Sequence, residues 1–260
     1  MTDSHEKRVV ISPDKATLAD SVAGRFLQCV TDTLAEGRLA HISLTGGSMG
    51  GAVLAAAKDR PEIAGIDWSR VHFWWSDERY VPADDPERNE KQSRDALLDA
   101  LDLPAENIHA MAASDSGVDV ETGARDYERE LAAFADPSAA GPWPSFDICF
   151  LGVGPDAHIA SLFPDRGEIQ VTDRSALPVF NSPKPPPVRI TVTRPVINAS
   201  QRVWLVLAGP DKASALGLAL AGASYARVPA AGAKGRKGTV FFVDTEAAAQ
   251  VPPELIDGDY

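Results

Sequence analysis

The chain reads as an α/β protein, a doubly wound, mainly parallel sheet with helices on both faces. Three observations predict this. Short apolar runs of strand type alternate with amphipathic helical segments along the length. Residues 146–151 (Phe-Asp-Ile-Cys-Phe-Leu) form a largely apolar run that does not alternate, as in a parallel strand covered on both faces. The 260 residues, 44% apolar and 24% charged, are enough for a sizeable core without disulfides.

The elements follow in order. Ser12-Pro13 offers an N-cap with proline at the first helical position. Leu18, Val22, Phe26, Val30 and Leu34 then recur at helical spacing, and Gly37 closes the helix. Residues 39–44 read as a strand and 48–58 as a helix. Residues 71–75 read as a strand, followed by a long polar loop through Asn89. Helices are expected over 90–101 and 118–134, the buried strand over 146–151, and a short helix after His158. Strands are expected over 188–192 and 203–207, then a helix over 211–221, a last strand over 240–243 and a short helix over 245–250. The Ala- and Pro-rich stretch 135–144 reads as a surface loop inside one domain, so residues 1–260 read as a single unit. Residues 183–187 form a stiff proline loop.

Composition narrows the function classes. Cys29 and Cys149 sit inside apolar runs and read as reduced core residues; no metal-ligand spacing is present. A reducing, cytoplasmic compartment is expected. The polar N-terminus has no apolar signal region, and no apolar run reaches membrane-spanning length. The net charge of −12 argues against general nucleic-acid binding. It does not argue against a small anionic ligand, because a few local cations can dominate a cleft.

In open α/β sheets, ligands bind at the carboxyl ends of strands, and four distinctive segments fall there. The first is Thr45-Gly46-Gly47-Ser48. Glycines let the backbone approach an anion, and the following helix N-terminus presents free N–H groups. The same residues read equally as a tight turn with Ser48 as N-cap. The second is Asp77-Glu78-Arg79-Tyr80-Val81-Pro82, with Asn89 farther along the loop. Three charges after Phe-Trp-Trp are also an ordinary way to end a strand. Arg79 would supply a planar, permanently charged fork for phosphate or carboxylate, with Asp77 and Glu78 positioning it or meeting hydroxyls.

The third segment is Gly152-Val153-Gly154-Pro155-Asp156-Ala157-His158. Histidine takes up a proton near neutral pH, with an unperturbed pKa of about 6.5, and a nearby carboxylate can fix its tautomer. The bland alternative is a loop with a capping Asp and an incidental His. Ser161 is not read as a nucleophile, since no Gly-x-Ser-x-Gly elbow is present. The fourth is Ser182-Pro183-Lys184-Pro185-Pro186-Pro187-Val188-Arg189, where prolines lower the cost of ordering a loop between two cations. Lys212, after Gly209-Pro210-Asp211, is a further cation at a strand-to-helix junction.

Together these segments resemble the 6-phosphogluconolactonase family over nearly the whole chain. The resemblance implies the fold shared with glucosamine-6-phosphate deaminase and ribose-5-phosphate isomerase. It also implies hydrolysis of 6-phospho-D-glucono-1,5-lactone to 6-phospho-D-gluconate, the second step of the oxidative pentose phosphate pathway, with no metal or organic cofactor. On that reading His158 is the base and Asp156 its orienter. Gly46, Gly47, Ser48, Asp77, Arg79, Asn89, Lys184, Arg189 and Lys212 bind the phosphosugar lactone. No nucleic-acid or membrane partner is implied, and a monomer is expected.

Three departures stand out. Met49-Gly50 follows Gly-Gly-Ser where the family usually has Thr-Pro. Ala157 stands where the family usually has glycine, so a positive φ there would be strained. Arg88 precedes Asn89 where the family commonly has Ser. The alternatives are an amino-sugar phosphate deaminase or isomerase, and a non-catalytic sugar-phosphate-binding protein. Arg79 in Asp-Glu-Arg and Ser161-Leu162-Phe163-Pro164 after the histidine favour the lactonase over the deaminases. The intact Asp/His pair and the lack of a helix-turn-helix extension speak against the binding protein.

Overall fold

The structure is a computed structural model and describes residues 7–137, 141–249 and 251–257. In chain order the elements are β1 Lys7–Ser12, α1 Lys15–Ala35, β2 Ala40–Leu44, α2 Gly47–Lys58, β3 Val71–Trp75, β4 Asp77–Arg79, α3 Asn89–Ala96 and α4 Val120–Ala133. There follow β5 Ile148–Leu151, β6 Ala176–Val179, β7 Arg189–Val192, α5 Arg194–Asn198, β8 Arg202–Leu207, α6 Ala213–Leu220 and β9 Gly238–Asp244.

Six strands pair in the order β1-β9-β8-β5-β2-β3, every pair parallel. Alternate residues of these strands face opposite layers. On one side, α1 and α2 bury Leu18, Phe26, Val53 and Leu54 with Ile42, Phe73, Phe150 and Phe242. On the other, α4, α5 and α6 bury Tyr127, Leu131, Ile197 and Leu216 with Trp74, Cys149, Leu151 and Phe241. Burial on both faces is why residues 148–151 are apolar without alternation. The sheet is doubly wound, as expected.

Chain order reverses between β2 and β5. From β2 the chain moves outward to β3, and from β5 it moves the other way to β8 and β9. The carboxyl ends flanking such a switch point form a crevice. The loops after β2 and β5 meet there, with the Gly152 amide donating to Thr45 Oγ1 at 3.2 Å. Above this edge lies a second, antiparallel sheet in the order β4-β7-β6.

Several expectations change. β1 does not show in the periodicity. It is an edge strand that opens Lys-Arg and is held by pairing with β9, Val9 opposite Phe241. Ser12 belongs to that strand, so α1 is capped instead by Asp14, which accepts from the Thr17 amide at 2.8 Å. The polar loop after β3 contains β4, and the strand expected over 188–192 pairs antiparallel with it. β6, at the other edge of the small sheet, carries Pro178, which removes a donor and weakens its strand signal.

The helix expected over 90–101 starts at Asn89 and stops at Ala96, and a 3-10 turn follows at Leu98–Ala100. The one expected over 211–221 begins as a 3-10 turn, Pro210–Lys212, so Lys212 caps α6 rather than lying in it. No helix follows His158. Ala157, Ala160 and Asp165 take φ of 65°, 49° and 58°, and left-handed residues interrupt a right-handed helix. Residues 245–249 form turns, not the expected helix, and Gln250 lies outside the described residues, as do 138–140 of the 135–144 loop.

Cys29 and Cys149 are buried and free, and burial pushes their thiols up to about 11 and about 12. Among the described residues no helix is long and apolar enough to cross a membrane.

Candidate active site

A cleft of about 280 Å³ lies at the switch point, near the small end of ligand-binding clefts. It is lined by six segments: residues 45–49 after β2, Asp77 and Arg79 of β4, Asn89 of α3, residues from 152–160 after β5, and residues from the 184–189 and 206–212 segments. Of the candidate residues named from the sequence, Asp156 and Glu78 do not line it; Asp156 meets it through His158, and the others line it directly.

The dyad is built by a tight turn. The Ala157 amide donates to the Gly154 carbonyl at 2.8 Å, and the Gly154 amide to the His158 carbonyl at 3.0 Å. This folds Asp156 and His158 onto one another, with His158 Nδ1 and Asp156 Oδ1 2.6 Å apart. Lys184 Nζ donates to the same Oδ1 at 3.1 Å. Burial works against the Asp156 charge, but the hydrogen bond and charge of His158, followed by those of Lys184, outweigh it. They hold the carboxyl well below its ordinary value. An ionised Asp156 accepts, so Nδ1 carries the proton, and Nε2 has no partner among the described residues. That tautomer leaves Nε2 able to take a proton. Phe163 backs the ring at 4.5 Å between centroids.

Ala157 has φ 65°, the left-handed geometry the sequence departure raised. Replacing it with glycine would relieve about 1–2 kcal/mol of strain. Against this stand the added chain entropy of glycine, about 0.5–1 kcal/mol, and a lost buried methyl, about 0.8 kcal/mol. Ala157→Gly is therefore expected to move Tm by no more than about 4 °C in thermal unfolding and to leave turnover unchanged. A turnover loss of about ten-fold or more (about 1.4 kcal/mol) would instead mean that the methyl places His158.

The Gly-Gly-Ser segment starts α2 at Gly47, whose φ is +83°, with Gly46 as N-cap and no side chain capping the helix. The Gly47 amide donates to Gln92 Oε1 at 3.3 Å, and Gly46, Gly47 and Ser48 line the cleft at the positive pole of the helix. The alternative reading, Ser48 as the cap, is not what forms. Gly46 is glycine for lack of space, since a Cβ there would lie 1.7 Å from Asn89 Oδ1. Met49 is buried, and Gly50 is equally constrained, its Cβ position falling 2.3 Å from the Thr45 carbonyl oxygen.

The charged neighbours are all engaged, to different degrees. Arg79 Nη1 donates to the Glu87 carbonyl at 2.7 Å, while its Nε is buried without a partner. Lys212 Nζ pairs with Asp211 at 3.1 Å. Arg189 is 4% exposed and largely spent: Nε donates to the Pro186 carbonyl, Nη2 to those of Lys184 and Pro185, and Nη1 to Ser161 Oγ. It holds the loop that carries Lys184. Asp77 is buried and accepts from Ser161 Oγ at 2.6 Å and from Asn89 Nδ2 at 3.3 Å. Glu78, read from the sequence as able to meet hydroxyls, is 1% exposed and does not face the cleft.

Sequence reading did not single out Thr45 or give Ser161 a role, yet both tie the cleft together. Their signal was only adjacency to the glycine turn and to the histidine. No group of three or more His, Cys, Asp or Glu side chains among the described residues could hold a metal ion.

Three comparisons bear on this arrangement. A family model for glucosamine-6-phosphate isomerases/6-phosphogluconolactonase matches residues 13–242. The chain is 46% identical over 254 residues to a 6-phosphogluconolactonase of Streptomyces coelicolor, covering 97% of each. It is 45% identical over 246 residues to that of Mycobacterium tuberculosis, covering 94% of this chain and 98% of the other. The crystal structure of a 6-phosphogluconolactonase from Thermotoga maritima superposes with a TM-score of 0.79 at 27% identity, over 92% of this chain and 100% of that one.

Proposed function

The chain belongs to the glucosamine-6-phosphate isomerase/6-phosphogluconolactonase family, and from that we infer that it hydrolyses 6-phospho-D-glucono-1,5-lactone, with His158 as general base. The observation that carries the role of His158 is the 2.6 Å pair with Asp156 in a cleft lined by cations.

His158 Nε2 takes a proton from water as the oxygen attacks the lactone carbonyl carbon. Asp156 keeps the ring in the Nδ1–H tautomer and stabilises the cation that forms. Lys184, the cation touching the dyad, stabilises the developing oxyanion. Collapse breaks the bond to the ring oxygen, which leaves with the proton from His158, and the C1 carboxylic acid releases the water's second proton to solvent to become a carboxylate. Arg79, Lys212 and the first-turn amides of α2 hold the 6-phosphate. Arg189, Asp77 and Asn89 act by holding the loops that carry these groups. We place the protein, as a single unit and a monomer, in the cytoplasm, in the oxidative pentose phosphate pathway.

The test generates the phospholactone in situ with glucose-6-phosphate dehydrogenase and follows its decay. The expected result is faster decay with the protein than without it, and no ammonia from glucosamine 6-phosphate. Unchanged lactone decay overturns the reading, and ammonia release replaces it with deamination.

A further inference from the structure

Glu78 is a carboxylate where none should be cheap to keep. It is 1% exposed, and burial pushes its carboxyl up to about 7 against the pull of Arg88 and three backbone amides. Both of its oxygens accept backbone hydrogen bonds. Oε1 accepts from the Arg79 amide at 2.8 Å and the Asn89 amide at 2.7 Å, and Oε2 from the Glu90 amide at 2.8 Å. Arg88 Nε lies 3.9 Å from Oε2. Asn89 and Glu90 open α3, whose own N-cap, Arg88, supplies no capping hydrogen bond. Their N–H groups are among those a helix leaves unsatisfied, and they carry its positive pole.

Glu78 therefore caps a helix eleven residues away in sequence, and the same oxygen that holds Asn89 holds Arg79. Asn89 Nδ2 in turn donates to the Asp77 carbonyl at 2.8 Å, and its Oδ1 lies against Gly46 at the start of α2. One buried carboxylate thus fixes the distance between Arg79 and the Gly46-Gly47 anion loop.

We propose that Glu78 is a positioning residue for substrate binding: it clamps β4 to the start of α3, setting Arg79 and Asn89 against the anion loop. This rests on the reading that Arg79 binds the substrate phosphate. Glu78 does not line the cleft and touches neither substrate nor the dyad, so its loss separates KM from kcat.

The experiment compares Glu78→Gln with Arg79→Ala. Gln keeps one acceptor but turns an NH2 group toward the Glu90 amide. KM is expected to rise about ten-fold, as for loss of a charged hydrogen-bond acceptor, with kcat within about three-fold of the parent. The inhibition constant of inorganic phosphate rises in parallel. A folded Glu78→Gln protein with the parental KM overturns the proposal, as does a fall in kcat at constant KM. If Glu78→Gln does not fold, Glu78→Asp decides. It keeps the charge on a shorter arm, so a raised KM supports the clamp and a parental KM overturns it. A parental KM in Arg79→Ala instead defeats the phosphate reading beneath it.

Discussion

His158→Ala is expected to lower kcat for the phospholactone by about 10²–10⁴-fold, the range contributed by one general base. KM is expected to move little, because on the proposed reading the phosphate is held by Arg79, Lys212 and the α2 amides rather than by the imidazole. The fold survives: His158 lies in a turn, and its side chain is 16% exposed. The measurement is a single-turnover or steady-state assay on the variant, with its thermal transition recorded beside it. A folded variant with parental kcat removes His158 from the mechanism. The phospholactone also opens in water without enzyme, so the comparison is made after that background is subtracted.

Gly154→Ala should disable the same chemistry without removing any polar group. Gly154 does not use the left-handed backbone region, so alanine is acceptable to the backbone itself. Space is what forbids it. A Cβ at this position would lie 2.1 Å from His158 Nδ1, 2.2 Å from its Cε1 and 2.4 Å from Asp156 Oδ1. The imidazole and carboxylate must separate to admit it, and the 2.6 Å bond that sets the tautomer is lost. A displacement of this size in a catalytic group costs about 10²-fold in turnover. The expected result is a drop of that order in kcat with little change in KM. Parental turnover would mean that water activation does not need the pair at this separation.

The two variants test different links. The first removes the proton acceptor, and the second leaves it in place but misdirects it. Equal losses would mean that orientation by Asp156 matters as much as the imidazole, since residues that act as a unit are not additive.

The segments that build the cleft were legible because each is local. Gly46-Gly47-Ser48, Asp156-Ala157-His158 and the 182–189 loop join chemistry-bearing residues to glycine or proline punctuation within a few positions. Even the strained Ala157 was visible as an alanine in a glycine's place. The four cations looked equivalent in the sequence, as side chains at strand ends. Their division came from contacts made across the fold: Arg189 is consumed by three loop carbonyls, and Lys184 is thereby delivered to Asp156. Ser161 has the same history, its hydroxyl meeting a carboxylate 84 positions away in sequence.

The sequence by itself determined the parallel α/β architecture, the dyad and the set of loops that surround it. Hydrophobic periodicity and turn chemistry act over neighbouring residues, where sequence order is spatial order. Only the tertiary structure decided the strands β1, β4 and β6, the cap on α3 and the engagement of each cation. Short polar strands are held by ladder bonds to distant partners rather than by their own pattern, as Glu78 opposite Ile190 shows. The charge of a side chain is written in the sequence, but its desolvation and its partners are set by what the fold places around it.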